Sequence, residues 1–152
     1  MNQSDVRGYC VGPNLTLRVI LDTCILKLAT FPVENNASAL IFELVRAALI
    51  EVWVSPAILE EYADVLRDRP DFVAEVVEIC RLCHPLTELR VIRHEPDNRF
   101  LECAFAASAD LIITVNTARG HFDQKTYQSL GVVTPGEFLE RRDVAPLLKK
   151  LD

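Results

Sequence analysis

The chain carries the stretch LRVILD at residues 17–22, in which four aliphatic residues surround one arginine and an aspartate follows. A short run of aliphatic and β-branched residues predicts a buried β-strand, so Asp22 lies at the carboxyl end of that strand. Later runs of the same character predict four more strands: VWV at 52–54, LRVI at 89–92, LIIT at 111–114 and VV at 132–133.

Segments with helical spacing or helix-start signals lie between these strands. The signals are an apolar face over 38–49, Ser55-Pro56 as N-cap and first helical residue, an apolar face over 72–80, Asp97 as a helix start, and the capping box Thr134–Glu137. Arg69-Pro70 separates two of the helices, and residues 115–131 are expected to form a loop with a short helix. The predicted order is β-α-β-α-α-β-α-β-(α)-β-α. This alternation predicts an α/β fold, a three-layer α/β/α sandwich with a central, mostly parallel five-stranded sheet.

The composition indicates one folded domain. The chain has 152 residues, of which 50% are hydrophobic and 25% charged, and a formal net charge of −6. This apolar fraction excludes a disordered chain, and no apolar run reaches the roughly 18 residues of a membrane span. We predict a flexible leader over residues 1–16, the domain over 17–142 and a C-terminal tail over 143–152.

The cysteines and the N-terminal residues bear on the compartment. Residues 1–16 lack the basic and apolar stretches of a secretory signal, so we expect a cytoplasmic protein with reduced thiols. Two of the five cysteines form CRLCH at 80–84, a haem-attachment pattern. Because haem attachment needs an export route, we interpret them as core thiols. The net negative charge argues against a general DNA-coating protein, but it does not exclude an enzyme that holds a phosphate substrate through metal ions.

Acidic and amide side chains follow the predicted strands. Asp22, Asp97 and Asn116 come at or just after strand ends, and Glu60 and Glu61 lie one to two turns into the helix after VWV. Parallel topology gathers these positions at one edge of the sheet, where carboxylates repel unless a cation binds. Oxygen ligands suit Mg²⁺ or Mn²⁺, which can promote attack on a phosphodiester. Taken singly, each acid also has a structural interpretation, as a helix cap, a turn residue or a solvated helix residue.

Five stretches carry a resemblance to a known family. They are LDT at 21–23, SPAILEE at 55–61, EPDNRFLECA at 95–104, ADLIIT at 109–114 and VTPGEFL at 133–139. Through this ordered set the chain resembles the PIN-domain family, in the subgroup of toxin components of toxin–antitoxin systems related to VapC-like ribonucleases. The resemblance implies a three-layer fold and a Mg²⁺- or Mn²⁺-dependent endoribonuclease that acts on RNA. It also implies a homodimer and a cognate antitoxin protein.

The resemblance also implies roles for individual residues. By position, Asp22, Glu61 and Asp97 are metal-binding carboxylates, and Asn116 stands where many relatives have a fourth aspartate. Glu61 is preferred to Glu60 because the family's acid tends to precede an apolar residue. The secondary candidates are Glu60, Thr114 as an orienting residue, Glu102 as an acid that recurs in the subgroup, and Asp123 as a replacement for the charge missing at Asn116.

Basic side chains flank the predicted edge of the sheet. Arg99, Arg119 and His121 are candidates for binding RNA phosphates, and His94 lies near the same edge. A lone surface histidine is more commonly only solvated, so this prediction depends on what the two histidines contact.

Two residues depart from the family's pattern and leave a second function open. Cys24 stands where the family usually has asparagine, and Asn116 brings no negative charge. The leading hypothesis is a metal-dependent endoribonuclease, the toxin of a toxin–antitoxin pair. The alternative is a catalytically weak or inactive PIN-like module that binds RNA or protein. A phospho-receiver, which also has an acid after its first strand, lacks support because Arg93-His94 follows the third predicted strand.

Overall fold

The computed structural model describes residues 15–152, so the predicted leader lies, up to residue 14, outside the described residues. A six-stranded sheet in the order β3-β2-β1-β4-β6-β5 forms its centre. The strands are β1 (Arg18–Leu21), β2 (Glu51–Val54), β3 (Arg81–Leu82), β4 (Leu111–Ile113), β5 (Thr126–Tyr127) and β6 (Leu130–Val133). Neighbouring strands run parallel except for β5 and β6, which are antiparallel.

Helices flank this sheet and complete the α/β fold predicted from the sequence. They are α1 (Thr23–Ala29), α2 (Ala37–Arg46), α3 (Pro56–Val65), α4 (Pro70–Ile79), α5 (Asn98–Ala106), α6 (Pro135–Leu139) and α7 (Ala145–Leu148), with short 3-10 helices at Glu95–Asp97 and Lys149–Leu151. The fold class is confirmed, with six strands in place of the predicted five. Among residues 15–152, no helix is both long enough and apolar enough to cross a membrane.

Strand β1 lies in the middle of the sheet between β2 and β4. Its Val19 and Ile20 are fully inaccessible to solvent. The register pairs Leu21 of β1 with Ile113 of β4, and the Asp22 amide continues the ladder by donating to the Ile113 carbonyl at 3.0 Å. Because the two strands end together, Asp22 and Thr114 emerge side by side at the carboxyl edge.

The helix-start signals identified in the sequence lie at helix starts in the structure. The Ser55 hydroxyl accepts from the Ile58 amide at 3.2 Å and begins α3, with Pro56 in the first helical position. Both halves of the capping box are present at Thr134 and Glu137, at the start of α6. Helix α4 begins at Pro70, directly after the predicted break.

The strand predicted at LRVI, residues 89–92, is wrong. The Val91 and Ile92 amides both donate to Oδ1 of Asn98 at 2.9 Å, so a side chain takes the hydrogen bonds that a neighbouring strand would have taken. The edge strand β3 forms earlier, at Arg81–Leu82, where the Cys83 amide donates to the Val54 carbonyl at 2.8 Å. Periodicity alone cannot distinguish these two segments, since both are short and partly apolar.

Two further segments differ from the predicted order. Helix α1 begins directly after Asp22, where no helix was predicted from the sequence. Between residues 115 and 131, where a loop with a short helix was predicted, the chain instead forms β5 and the start of β6. Residues 143–152, predicted as a tail, carry α7 and a 3-10 helix, and Val144 is fully buried.

Candidate metal centre

Asp22 stands at the carboxyl end of β1 and at the N-cap position of α1, but its side chain does not cap that helix. Its carboxylate is almost fully buried, and Oδ2 accepts hydrogen bonds from Thr114 Oγ1 at 2.6 Å and Asn116 Nδ2 at 3.2 Å. Burial raises the pKa of Asp22; the Thr114 hydrogen bond opposes this shift and the nearby Asp97 charge adds to it. The donors that position the carboxylate are therefore neutral, and within the described part of the chain no lysine or arginine pairs with it.

Glu61 reaches the same edge from helix α3. The next residue, Tyr62, is fully buried and its hydroxyl donates to the Leu21 carbonyl at 2.5 Å, which ties α3 to the end of β1. The Glu61 carboxylate accepts a hydrogen bond from the Thr23 hydroxyl. Burial raises the pKa of Glu61, and the charges of Asp22 and Asp97 raise it further. Its neighbour Glu60 is exposed to solvent.

Asp97 enters the site from the short 3-10 helix before α5. It is 5% exposed and occupies the N-cap position of α5, yet it makes no side-chain capping bond. Its two carboxylate oxygens instead face two imidazoles: Oδ2 lies 2.9 Å from Nδ1 of His121, and Oδ1 lies 3.4 Å from Nδ1 of His94. The capping interpretation of Asp97 therefore fails, and its carboxylate is directed to side chains from elsewhere in the chain.

The three carboxylates offer the oxygen ligands that a divalent cation prefers, although among residues 15–152 only His94, Asp97 and His121 bring three ligand atoms within 4.8 Å of one another. Asp22 and Asp97 are buried, Glu61 is partly buried, and the charges of Asp22 and Asp97 each raise the pKa of Glu61. Within residues 15–152, no lysine or arginine forms an ion pair with any of the three. Buried carboxylates without a cationic partner are costly, and a divalent ion held by carboxylate oxygens removes that cost. Asp22, Glu61 and Asp97 are the residues that would hold it.

Thr114 and Asn116 follow strand β4 and form hydrogen bonds with Asp22 of this carboxylate group. The Thr114 hydroxyl donates to Asp22 and also accepts a hydrogen bond from the backbone N–H of Asn116 at 2.9 Å. The Asn116 side chain therefore acts as a donor toward Asp22, in the place where an aspartate would repel it. Cys24 lies beside this pair, and burial followed by the charge of Asp22 raises the pKa of its thiol to about 12. A neutral thiol is a poor ligand for a hard cation.

The secondary candidates lie in different surroundings. Glu102 is buried, accepts from the Leu89 amide at 2.8 Å and pairs with Arg99 at 2.8 Å. Arg99 also pairs with Glu95 at 3.0 Å, so its guanidinium is held between two carboxylates. Asp123 is exposed and accepts from the Gly120 amide at 3.0 Å, and Arg119 is exposed on the same loop. Glu102 and Arg99 thus join α5 to the segment before it, while Arg119 faces solvent.

The feature that sequence reasoning missed is the pairing of two histidines on Asp97. Their rings lie 4.6 Å apart at 38°, although 26 positions separate His94 and His121 in the printed sequence. His94 stands three residues before Asp97, which is a local signal, but nothing in the sequence placed His121 at the same carboxylate. The structure brings the two together through the loop after β4.

Comparisons with known proteins agree with this geometry. No curated protein matches the chain. A PIN-domain family model matches residues 18–118, which is more than half of the chain and includes Asp22, Glu61, Asp97 and Asn116. PIN domains are in general nucleases that act on RNA or other nucleic acid, typically with divalent metals. With its mostly parallel sheet, its carboxylates gathered at one edge and this match over most of its sheet, the chain belongs to the PIN-domain family.

Proposed function

We propose that this protein is a Mg²⁺- or Mn²⁺-dependent endoribonuclease, the toxin of a toxin–antitoxin pair. The observation that carries the nuclease proposal is the meeting of Asp22, Glu61 and Asp97 at one sheet edge without a lysine or arginine partner among the described residues. Three acids from three separate elements would repel one another without a cation. The family membership supports the same chemistry.

The roles of the residues follow from their contacts. Asp22, Glu61 and Asp97 would bind the ion, which supplies Lewis acidity for hydrolysis of a phosphodiester. Thr114 and Asn116 orient Asp22 through hydrogen bonds of 2.6 and 3.2 Å, and Thr23 orients Glu61. The exposed guanidinium of Arg119, on the loop after β4, is free to meet the RNA backbone electrostatically.

Paired substitutions in α3 give the sharpest test of the nuclease. Glu61→Gln should abolish RNA cleavage with Mg²⁺ or Mn²⁺, because it removes one carboxylate of the site. Glu60→Gln should cleave like the unchanged protein, since Glu60 is exposed beside it. Asp22→Asn and Asp97→Asn should also be inactive, and EDTA should stop all cleavage. Circular dichroism confirms that each variant is folded, and full activity of Asp22→Asn and Asp97→Asn would refute the proposal.

The biological setting is also proposed. We infer a cytoplasmic homodimer neutralised by a cognate antitoxin, with residues 17–142 as the PIN domain. The resemblance to toxin components supports this setting. Light scattering on the purified protein measures the dimer, and co-expression with the product of a small adjacent reading frame tests the antitoxin. An equimolar complex without ribonuclease activity is expected, whereas cleavage that the adjacent protein does not reduce would contradict the toxin role.

A second function is favoured by Asn116. Because this neutral side chain donates to Asp22, the site has one negative charge fewer than a four-acid centre, and cation affinity falls with it. The alternative is therefore a PIN-like module that binds RNA or protein without turnover. RNA binding by folded protein, with no cleavage in either metal, would favour the module. Metal-dependent cleavage that EDTA stops would exclude it.

A further inference from the structure

The pair of histidines on Asp97 forms a compact group of three ligand atoms. One nitrogen of His94, one of His121 and an Asp97 oxygen all lie within 4.8 Å of one another. Oδ2 of Asp97 lies 2.9 Å from Nδ1 of His121, and Oδ1 lies 3.4 Å from Nδ1 of His94, so each imidazole contacts a different oxygen of one carboxylate. Binding one ion requires small side-chain rotations, and the exposed His94 has room for them.

Backbone hydrogen bonds hold the two segments that carry the histidines next to each other. The His94 amide donates to the Gly120 carbonyl at 2.8 Å, which joins the segment before Asp97 to the loop after β4. Gly120 has a φ of +91°, a conformation that glycine adopts readily, and the Asp123 carboxylate accepts from its amide at 3.0 Å. Phe122 is buried beyond it. The turn that carries His121 is thus stabilised by these hydrogen bonds and places His121 next to Asp97.

The ligand atoms of His94, His121 and Asp97 differ in chemistry from the three carboxylates of Asp22, Glu61 and Asp97. Imidazole nitrogens suit Zn²⁺, Co²⁺ and similar transition-metal ions, whereas Mg²⁺ prefers oxygen and keeps much of its water. Two histidines and one carboxylate with open positions are a known ligand set for Zn²⁺. Asp97 is the one buried member, and its side chain is 7% exposed against 51% for His94 and 34% for His121. The group opens to solvent on the histidine side, which allows an ion to enter.

We propose that His94, Asp97 and His121 form a binding site for a transition-metal ion of the Zn²⁺ class, distinct in ligand chemistry from the carboxylate group and sharing Asp97 with it. The site takes Zn²⁺ in the presence of excess Mg²⁺, because Mg²⁺ competes poorly for imidazole nitrogen. The proposal goes beyond the proposed nuclease function, since binding needs no RNA and no turnover.

Calorimetry tests the site on the full chain, purified without a histidine tag and stripped of metal. Zn²⁺ is titrated into protein in excess Mg²⁺, and we expect saturable binding of one ion. His94→Ala and His121→Ala should each weaken it at least about 10-fold, the loss that even an indirect metal partner causes. The matched control is His84→Ala, which removes an exposed histidine outside the group and should leave binding unchanged.

Co²⁺ as a spectroscopic probe excludes the thiols as an alternative. Cys83 and Cys103 lie with their sulfurs 3.2 Å apart and could also attract a soft ion. We expect Co²⁺ spectra without a thiolate charge-transfer band, and visible bands that both histidine variants lose. A thiolate band, or Zn²⁺ binding unchanged in both variants, would overturn the site. A protein that cleaves RNA with Mg²⁺ but binds no Zn²⁺ refutes only this site, and one that binds Zn²⁺ without cleaving RNA refutes only the nuclease.

Discussion

The hydrogen bond from Tyr62 to the Leu21 carbonyl is the contact on which the alignment of Asp22 and Glu61 depends. It measures 2.5 Å, both groups are buried, and it joins the residue after Glu61 to the residue before Asp22. We predict that Tyr62→Phe removes this bond while the aromatic ring keeps its packing. The carbonyl of Leu21 then loses a donor in a region that water does not reach.

The size of the effect follows from the burial of both partners. A buried hydrogen bond contributes a net 1–1.5 kcal/mol, roughly, to the free energy of unfolding. For a domain of this length, each kcal/mol shifts the melting temperature by about 2–4 °C. Tyr62→Phe should therefore lower the melting temperature by about 2–6 °C. Since the lost bond also holds α3 against β1, Mn²⁺ affinity should fall with it.

A matched tyrosine elsewhere in the chain supplies the control. The Tyr127 hydroxyl is buried and makes no well-formed hydrogen bond among the described residues, although the backbone of Asp123 and Gln124 lies near enough to lower its pKa. Tyr127→Phe should change the unfolding free energy less than Tyr62→Phe, because the hydroxyl that it removes is less well bonded. Urea denaturation measures both variants. Equal stabilities for Tyr62→Phe and the unchanged protein would refute the reasoning, as would a larger loss for Tyr127→Phe.

Three further predictions concern stability away from the carboxylate group. Glu102→Gln should lower the unfolding free energy by about 1–3 kcal/mol in urea denaturation, because Arg99 then keeps only its more exposed partner Glu95 and loses the buried one. An unchanged midpoint would show that the pair of Arg99 and Glu102 is not structural. Thr134→Ala, which removes the capping box of α6, should cost about 1 kcal/mol in the same assay, and no loss would contradict the cap. Burial raises the pKa of the Cys80 thiol from 9.0 to about 12, so the thiol loses its proton at lower pH in the unfolded chain than in the folded one. The free energy of unfolding should therefore fall as the pH rises from 9 to 12. Cys80→Ala should make that fall less steep, and an equal slope in both proteins would contradict the raised pKa of Cys80.

Local patterns predicted much of the fold because they act over a few residues. The helix starts at Ser55 and Thr134 depend on a side chain and an amide three positions away, and both are present as predicted. Strand β1 was recognisable from LRVIL, because a strand in the middle of a parallel sheet is buried on both faces and is therefore mostly apolar. LRVI at 89–92 has the same local character and forms no strand, since Asn98 takes its amide hydrogen bonds.

The candidate site likewise has some features that local sequence patterns predict and others that depend on distant residues. Placing Asp22 and Asn116 at the carboxyl edge needed only the periodicity of the sequence and the rule that parallel strands share one edge. Asp97 was placed there by a strand predicted at 89–92, which the structure does not contain. Whether an acid there caps a helix, pairs with an arginine or stands without a cationic partner depends on residues far along the chain. Glu102 within α5 and Asp97 directly before it are both buried acids, yet one pairs with Arg99 and the other faces two histidines.

The sequence by itself determined the α/β class, most helix starts and the position of Asp22 at the end of a strand, because these follow from contacts between near neighbours and from apolar spacing. Only the tertiary structure decided the position of the edge strand β3 and the joining of His94 to His121 at Asp97. These depend on which distant segments the chain brings together, and that is settled by packing and by the hydrogen bonds of the whole domain. A local sequence pattern does not indicate which distant residues these segments will contact.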